Sequence, residues 1–439
     1  MSADRTPTAP RHLVVVGAGL AGAQAVAAAR SQGFAGRITL LGAEGVEPYD
    51  RPPLSKELFT RTSPAWLGEE LGTDQTAADD VRLGEPATGL ATGPHGVVVR
   101  TAGGEIRADA VVLATGSRPV LPDGWRGTTL HTHDDAARLR AALRPRTRLV
   151  VVGAGWVGAE VAGVAARAGV DVTVVEAADA PLAGALGATV GGLTRPWYAA
   201  AGVRLLTGVR VVEVAGTGGP GAATGLGGTV TLGDGEVVDA DVVLVAVGAR
   251  PASGWLVGAL PLEPDGSIAV GPAYLVPGTH GRVAAVGDLA LRSSPRHGPV
   301  PGGHWDGALR GPAVAVAALL AGPLGAAPDG QPAGRGRAPG ADAAPATSSD
   351  PTPYVFSTQL GHDLGLLGVP GEAGDLVLRG DPAGTGWSAL WFTPGTDELT
   401  AVLAVDRPRD VGAARRLLAG PALPRVDRTA AADPDRPLR

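Results

Sequence analysis

Two glycine turns of the same kind constrain the fold more than any other feature of this sequence. The first follows the apolar run His12–Val16, and the second follows Arg148–Val152. Each turn leads into an alanine-rich segment of helical character, so each predicts a strand, a tight turn and a helix. Glycines at this spacing let the backbone approach a pyrophosphate, which the N-terminus of the helix attracts. The sequence therefore predicts an α/β protein with two Rossmann-like dinucleotide-binding domains. The turn glycines are Gly17, Gly19, Gly22, Gly153, Gly155 and Gly158.

A glutamate follows each glycine turn near the end of the next predicted strand. Glu176 ends the run Asp171–Glu176, 18 residues after Gly158. A carboxylate at this position accepts hydrogen bonds from the adenosine ribose hydroxyls and repels a 2′-phosphate. The stretch 177–194 contains no arginine that could bind such a phosphate. The second site is therefore expected to bind NAD rather than NADP, and Glu44 is expected to meet a ribose in the first site.

Composition excludes several classes of function. The net charge of −6 does not favour nucleic acid as a partner. No apolar run reaches the length of a membrane span, and the polar start does not resemble a signal peptide, so a cytoplasmic protein is expected. The sequence has no cysteine, which excludes a redox-active dithiol, a thiolate adduct and a cysteine-bound iron–sulfur cluster. No metal site is expected.

Lys56 is the only lysine among 37 basic residues. A compact ammonium differs in shape and hydration from a guanidinium, so one retained lysine suggests a chemical requirement, with chance survival as the alternative. Lys56 closes the segment Pro48-Tyr-Asp-Arg51-Pro-Pro-Leu-Ser-Lys. This segment resembles the ferredoxin reductases of oxygenase systems, whose members carry Pro-Tyr-x-Arg-Pro-Pro-Leu-Ser-Lys in this place. The resemblance implies that Lys56 lies near flavin N5 and that Arg51 contacts FAD.

Other segments extend the resemblance to the FAD site. The run Ala110–Pro119 reads as a buried strand that ends in Ala-Thr-Gly, Val283 leads to a Gly-Asp pair, and Gly303-His-Trp opens a helix. In the reductases, segments of these kinds contact the flavin, and the tryptophan covers the isoalloxazine region. Asp306 and Arg310 depart from the family, which has amides at both positions. The resemblance implies FAD contacts at Ala21, Ala87, Thr115, Gly116, Arg118, Asp288 and Trp305.

The segment from Leu130 to Asp135 has two interpretations. His131 and His133 with neighbouring acids have the side chains of metal ligands. The favoured interpretation is a helix start in which Thr132 or an aspartate caps the run Ala136–Leu143. The resemblance places a flavin-contacting arginine where this chain has His131, which remains among the candidate FAD contacts.

Two further residues belong to the predicted NAD site. Glu160 is expected inside the first turn of the helix that follows the second glycine turn, where a carboxylate interacts favourably with the helix dipole. The resemblance instead places Glu160 close to the nicotinamide and within reach of Lys56. Gly248 ends the predicted strand that begins at Asp241, where the chain returns to the first domain.

The predicted NAD domain interrupts the predicted FAD domain along the chain. In the NAD domain, strands are predicted at 203–214 and 228–239. In the FAD domain, a hairpin is predicted from strands at 97–101 and 105–109. After the linker, strands are predicted at 376–379, 387–392 and 399–405, with a helix at 411–418. The boundaries are a disordered lead-in at 1–11, an FAD domain at 12–119 and 249–322, an NAD domain at 120–248, a flexible linker at 323–352, a C-terminal α+β domain at 353–425 and a polar tail at 426–439.

The C-terminal domain opens with Pro353-Tyr-Val-Phe356-Ser-Thr-Gln-Leu. The reductases open this domain with Pro-x-Phe-Trp-Ser-Asp-Gln-Tyr, so Phe356, Thr358 and Leu360 depart from the pattern.

The residues and the resemblance together imply an oxidoreductase with FAD and NADH. Hydride would pass from nicotinamide to flavin, and single electrons would then pass to an iron–sulfur ferredoxin that serves a haem or Rieske-type oxygenase. Lys56 and Glu160 are the expected catalytic pair, and the protein is expected as a monomer or homodimer. Two alternatives remain open. One is an NADH oxidase or quinone reductase of the same architecture, and the other is a regulator that holds FAD without turnover.

Overall fold

A computed structural model describes residues 11–73, 75–216, 225–322, 324, 350–371 and 375–439. Most of the predicted lead-in and most of the predicted linker lie outside the described residues. The chain divides into two compact units. The first unit comprises Met1–Asp50, Trp66–Ser117 and Pro251–Pro353, and the second comprises Arg51–Ala65, Arg118–Arg250 and Tyr354–Arg439.

The first unit is built on a parallel sheet in which the first glycine turn follows the central strand. Four of its five strands are short apolar runs, and their side chains form the core with the helices Leu20–Ser31 and Trp305–Ala321. The predicted strand at Ala110 is confirmed. In sheet order the strands are Val283–Ala285, Ala110–Leu113, His12–Val16, Arg37–Leu41 and Asp80–Arg82.

Two small three-stranded sheets complete the first unit. The predicted hairpin around Gly103 is confirmed, and Ala87–Gly93 adds a third antiparallel strand to Gly96–Thr101 and Gly104–Ala108. The other small sheet consists of Ile268–Val270, Ala290–Ser294 and Gly298–Val300. The remaining elements of this unit are Tyr49–Asp50, the helix Leu67–Leu71 and the 3-10 turns Gln75–Ala77, Gly254–Leu256 and Gly287–Leu289. Three short strands lie at the unit boundaries: Ala65–Trp66, Ser117–Pro119 and Ala249–Pro251.

The second unit repeats the parallel arrangement around the second glycine turn. Its sheet order is Arg204–Thr207, Asp171–Glu176, Arg148–Val152 and Val242–Val245. The predicted single strands at 203–214 and 228–239 are wrong, because each region contains two strands. Gly208 has φ +70° and ends the parallel strand. Val211–Gly216, Gly228–Leu232 and Val237–Ala240 then form a separate antiparallel sheet.

The C-terminal segment of the second unit forms an antiparallel sheet of five strands. The predicted strands and helix are confirmed with small shifts of their ends. Tyr354–Gln359 and His362–Gly368 are two additional strands that were not predicted from the sequence. The sheet order is Tyr354–Gln359, His362–Gly368, Leu399–Val405, Trp387–Phe392 and Asp375–Arg379. The helices of the second unit are Pro53–Lys56, His133–Ala142, Trp156–Arg167, Ala183–Gly192, Arg195–Ala200, Pro408–Leu417 and Arg428–Ala432.

The predicted polar tail at 426–439 is wrong, because this segment is packed into the structure. Val426, Ala431 and Leu438 are buried, and the chain forms the helix Arg428–Ala432. Arg379 is also buried, and its guanidinium donates to four backbone carbonyls of the segment. The acceptors are the oxygens of Ala431, Asp433, Pro434 and Arg436. The polar composition concealed this segment because many of its contacts are made by backbone carbonyls that accept from Arg379.

The two ends of the predicted flexible linker are also packed. Leu324 is 2 % exposed and belongs to the core of the first unit. Asp350 is buried and accepts from Arg292 and Ser294, while Arg296 adds a second ion pair at 3.2 Å. The prediction of a flexible linker therefore fails at these ends. Within the part of the chain that the structure describes, no helix combines the length and hydropathy needed to cross a bilayer.

Candidate active site

The first glycine turn has the backbone geometry that a dinucleotide requires. Gly17 has φ +112°, and a Cβ there would lie 2.2 Å from the Ala114 oxygen. A Cβ at Gly22 would lie 1.7 Å from the Gly17 oxygen, so both positions need glycine for packing. Gly19 is different, since beyond its own residue and its two chain neighbours no described heavy atom lies within 4 Å of the Cβ position. Gly19 is the N-cap of the helix and offers open space beside the first N–H groups of the helix, which have no acceptor within the helix itself; this arrangement fits the pyrophosphate of FAD.

Asp288 belongs to a second part of the predicted FAD site. Ser117 Oγ donates to Asp288 Oδ2 at 2.8 Å, and the Gly303 N–H donates to Oδ1 at 3.1 Å. These bonds fix the carboxylate beside the Thr115-Gly116 turn, where Gly116 has φ +66°. Thr115 Oγ1 is held by the Ala252 oxygen at 3.0 Å. The Ser117–Asp288 hydrogen bond joins residues that are 171 positions apart in the sequence. Each oxygen of the Asp288 carboxylate keeps a lone pair that can accept a hydrogen bond from a hydroxyl of a ribityl chain.

Trp305 is held at the start of its helix by the neighbouring side chains. His304 Nδ1 accepts from the Gly307 N–H at 3.0 Å and caps the helix, and burial lowers the pKa of His304, which keeps the ring neutral. The Trp305 indole N–H donates to Asp50 Oδ1 at 2.8 Å. Asp306 pairs with Arg310 at 2.9 Å one turn along, so the two departures from the family pattern contact each other.

Glu44 follows the second strand of the first sheet, as predicted. Its side chain accepts a hydrogen bond from the Tyr49 hydroxyl. Ala21 is buried in the first helix, and Ala87 begins the strand Ala87–Gly93. The roles of these residues at FAD stay predictions.

The second glycine turn has the same geometry as the first. Gly153 has φ +104°, and Cβ atoms at Gly153 and Gly158 would lie 2.5 Å and 2.1 Å from backbone oxygens. The Cβ position of Gly155, the N-cap, meets no described heavy atom within 4 Å. Gly248 has φ +124°, and its oxygen accepts from the Val120 N–H at 2.9 Å.

Glu176 ends its strand next to the second glycine turn, as predicted. Its Oε2 accepts from the Ala154 N–H at 2.6 Å, and Oε1 accepts from the Ala178 N–H at 2.8 Å. The two backbone donors hold the carboxylate in one orientation, and each oxygen retains a lone pair. This arrangement suits bidentate recognition of two ribose hydroxyls.

The predicted Lys56–Glu160 pair is present in the second unit. Lys56 Nζ lies 2.6 Å from Glu160 Oε1, and the two side chains are 18 % and 4 % exposed. Lys56 Nζ also lies 5.2 Å from the centre of the Phe356 ring, within the range of a cation–π contact. The predicted place of Glu160 in the first helical turn is wrong, because it is the fifth residue of Trp156–Arg167 and lies in the second turn.

Two hydroxyls and an amide complete the cluster around Glu160. Ser55 Oγ donates to Glu160 Oε2 at 2.5 Å, and Ser357 Oγ donates to Oε1. Gln359 Nε2 donates to Ser357 Oγ at 3.0 Å. The sequence analysis did not assign these three residues. The signal was available, because Ser55 precedes Lys56 and the Ser-x-Gln pair matches the family opening of the C-terminal domain.

The Arg51 side chain contacts the backbone of His131 in the second unit. Arg51 Nη1 donates to the His131 oxygen at 2.5 Å. Thr132 accepts from the Asp135 N–H at 3.1 Å, and Asp135 accepts from the Thr132 N–H at 2.9 Å, which confirms the predicted cap as a capping box. No group of three metal-ligating side chains occurs within the described ranges. Arg118 is exposed, and its contact with FAD stays a prediction.

The sequence profile of the pyridine nucleotide-disulphide oxidoreductases matches residues 11–321. The chain belongs to this family. A second profile, the reductase C-terminal domain, matches residues 354–439. The family is named for disulphide chemistry, which a chain without cysteine cannot perform at a dithiol of its own.

Similar proteins within the family cover almost the whole chain. A probable ferredoxin reductase from Castellaniella defragrans is 32 % identical over 93 % of this chain and 94 % of its own length. The ferredoxin–NAD(+) reductase subunit of a benzene 1,2-dioxygenase system from Pseudomonas putida is 33 % identical over 93 % and 92 %. The crystal structure of the covalent putidaredoxin reductase–putidaredoxin complex superposes with a TM-score of 0.77 at 26 % identity, and the match covers 94 % of both chains.

Proposed function

We propose that this protein is an FAD-dependent NADH:ferredoxin reductase that supplies electrons to an oxygenase. The observation that carries the proposal is the sole lysine, which is held by a buried glutamate on the helix of the second glycine turn. The similar proteins named above are ferredoxin reductases, which supports the same conclusion.

The chemistry that FAD supplies when bound is acceptance of a hydride from NADH and release of two single electrons to an iron–sulfur protein. The chain binds and orients the reactants. Gly19 and Gly155 leave room for the two pyrophosphates. Glu176 would accept hydrogen bonds from the adenosine ribose hydroxyls of NADH. Asp288 would accept hydrogen bonds from hydroxyls of the ribityl chain.

Lys56 and Glu160 set the charge where hydride is transferred. The Lys56 ammonium, whose side chain is 18 % exposed, would stabilise negative charge that develops on the acceptor. Glu160 keeps the ammonium in place and balances its charge before the reaction begins. The proposal includes a cytoplasmic location, which fractionation of cells that produce the protein would test.

Two steady-state assays test the function. Purified protein with bound FAD is mixed with NADH and an iron–sulfur ferredoxin. The rate of ferredoxin reduction is then compared with the rate of oxygen consumption. Ferredoxin reduction that exceeds oxygen consumption supports the proposal. Dominant oxygen consumption indicates an NADH oxidase, and unreduced flavin with excess NADH indicates a regulator.

A further inference from the structure

The Glu160 carboxylate is almost fully enclosed by donors. Oε1 accepts from Lys56 Nζ at 2.6 Å and from the Ser357 hydroxyl, while Oε2 accepts from the Ser55 hydroxyl at 2.5 Å. The glutamate side chain is 4 % exposed. One ammonium and two hydroxyls therefore replace the water that a carboxylate loses on burial.

The direction of the Ser357 hydrogen bond is fixed by its neighbour. Gln359 Nε2 donates to Ser357 Oγ at 3.0 Å, and both side chains are buried. Because the Ser357 oxygen accepts this bond, its single proton is available to Glu160. The strand Tyr354–Gln359 thus delivers an oriented donor to the same carboxylate oxygen that the Lys56 ammonium uses.

The strand is fixed closely against the helix that carries Glu160. A Cβ at Gly163 would lie 2.7 Å from the Leu360 N and 3.1 Å from its Cα. Only glycine allows this approach of helix and strand, three residues beyond Glu160. This backbone packing holds the end of the strand close to the helix, three residues after Ser357.

Two donors on one carboxylate oxygen compete for its negative charge. When the Ser357 hydroxyl donates to Oε1, the Lys56 ammonium is bound less tightly by the same oxygen. More of the positive field of the ammonium then remains available to a neighbouring acceptor. We infer that Ser357, oriented by Gln359, is a positioning residue that sets how strongly Glu160 neutralises Lys56. This inference rests on the proposed function and makes the C-terminal domain part of the hydride-transfer machinery.

Three variants with bound FAD test the inference. Ser357→Ala removes the donor, Ser357→Thr retains a hydroxyl, and Thr358→Ala is the matched control. Thr358 neighbours Ser357 on the strand, is exposed and bonds to Asp363 at 2.8 Å instead. Flavin reduction by excess NADH should slow about three- to tenfold in Ser357→Ala. This effect is smaller than the slowing expected from loss of a whole charge-assisted hydrogen bond. Ser357→Thr and Thr358→Ala should stay within about twofold of wild type on the same scale.

Two readouts separate this role from a purely structural one. The flavin midpoint potential should fall in Ser357→Ala, because the acceptor loses part of the stabilising field. Lys56 is the only lysine, so the mass of its peptide reports how fast an amine-acylating reagent modifies it. Acylation should slow in Ser357→Ala, because the ammonium is bound more tightly by Glu160. Gln359→Met should change both readouts in the same direction and tests the inference without altering Ser357.

The Glu160→Gln background shows whether Ser357 acts through Glu160. The effect of Ser357→Ala should shrink there, because the charge that it modulates has been removed. The same effect in both backgrounds, or an unchanged potential with equal or faster acylation in Ser357→Ala, overturns the inference. If wild-type flavin is not reduced by NADH, the proposed function fails instead, and the acylation and potential readouts still decide the inference.

Discussion

Lys56 and Glu160 are separated by 104 positions in the sequence, yet their side-chain nitrogen and oxygen lie 2.6 Å apart. The short helix Pro53–Lys56 brings the lysine, and the helix of the second glycine turn brings the glutamate. A requirement for this pair explains why one lysine persists in a chain whose other basic residues are arginines.

Replacement of Lys56 by methionine should slow flavin reduction. The variant loses the ammonium but keeps much of the side-chain volume, so NADH should bind about as well. A lost charge-assisted hydrogen bond of about 1.5–3 kcal/mol corresponds to roughly ten- to a hundredfold in rate if the transition state feels it fully. The flavin midpoint potential should also fall. Stopped-flow absorbance with excess NADH measures the rate.

Lys56→Arg is the informative companion, because it restores charge without restoring shape. A planar guanidinium does not fit the place of a compact ammonium between Glu160 and Phe356, so little rescue is expected. Arg409→Met, at an exposed position, is the control for loss of one positive charge. Unchanged reduction rates in both Lys56 variants would identify the lysine as a chance survivor.

Glu176 should control the preference for NADH over NADPH. Glu176→Gln retains one acceptor oxygen for the two backbone N–H groups and removes the charge that repels a 2′-phosphate. The ratio of kcat/KM for NADH to that for NADPH should fall by roughly tenfold, equivalent to about 1.4 kcal/mol, and further in Glu176→Arg. Glu213→Arg, at an exposed position of the same unit, should leave the ratio unchanged. A wild-type preference for NADPH would refute the assignment.

Two glycines of the second turn should respond differently to alanine. A Cβ at Gly158 would lie 2.1 Å from the Gly153 oxygen, so Gly158→Ala should lower the thermal stability of the apoprotein. Gly155 has open space at its Cβ position, so Gly155→Ala should leave stability unchanged and weaken NADH binding, because the methyl group occupies the place of the pyrophosphate. Melting curves and equilibrium titration with NADH measure the two effects. Similar stability losses in both variants would contradict this distinction.

Much of the fold follows from local patterns in the sequence. The apolar runs before Gly17 and Gly153 predicted both parallel sheets, and Thr132 with Asp135 predicted a helix cap that the structure confirms. These signals are local, since a strand, a turn or a cap is determined by residues close together in the chain. The tail is the counterexample, because its burial depends on Arg379, which lies 52 positions before Ala431.

The site shows the same limit. The pair of Lys56 with Glu160 was anticipated from the family resemblance. The hydroxyl of Ser357, 197 positions after Glu160, was not, because contacts across such separations depend on how the helix and strand pack. Gly163 determines that packing, but its role appears only when Leu360 is seen beside it.

The buried Asp410 cluster should make the C-terminal segment sensitive to acid. Burial raises the pKa of Asp410, but hydrogen bonds from Ser388 and Arg407 and the charge of Arg379 outweigh it and lower the pKa below 3.8. A lowered pKa in the folded state stabilises the protein above the unfolded value of 3.8, and this contribution is lost as the pH falls below it.

Asp410→Asn tests this cluster by removing the charge that pairs with Arg379 and Arg407. Loss of one partner of a buried ion pair costs about 3–5 kcal/mol, so the variant should unfold at lower urea concentration at neutral pH. The difference from wild type should narrow as the pH falls below 3.8. Asp381→Asn, at an exposed position between the strands Asp375–Arg379 and Trp387–Phe392, is the control. A difference that does not depend on pH would contradict the assignment of the stabilisation to the ionised carboxylate.

In the proposed reaction, NADH reduces the flavin, and the flavin then passes single electrons to an iron–sulfur ferredoxin. Anaerobic double-mixing stopped flow tests it most directly, because the protein is first mixed with one equivalent of NADH and then with oxidised ferredoxin. We expect bleaching of the flavin absorbance in the first mixing step, and its recovery with reduction of two ferredoxins per NADH in the second. Flavin that remains oxidised after the first step, or reduced flavin that leaves ferredoxin oxidised, would contradict it.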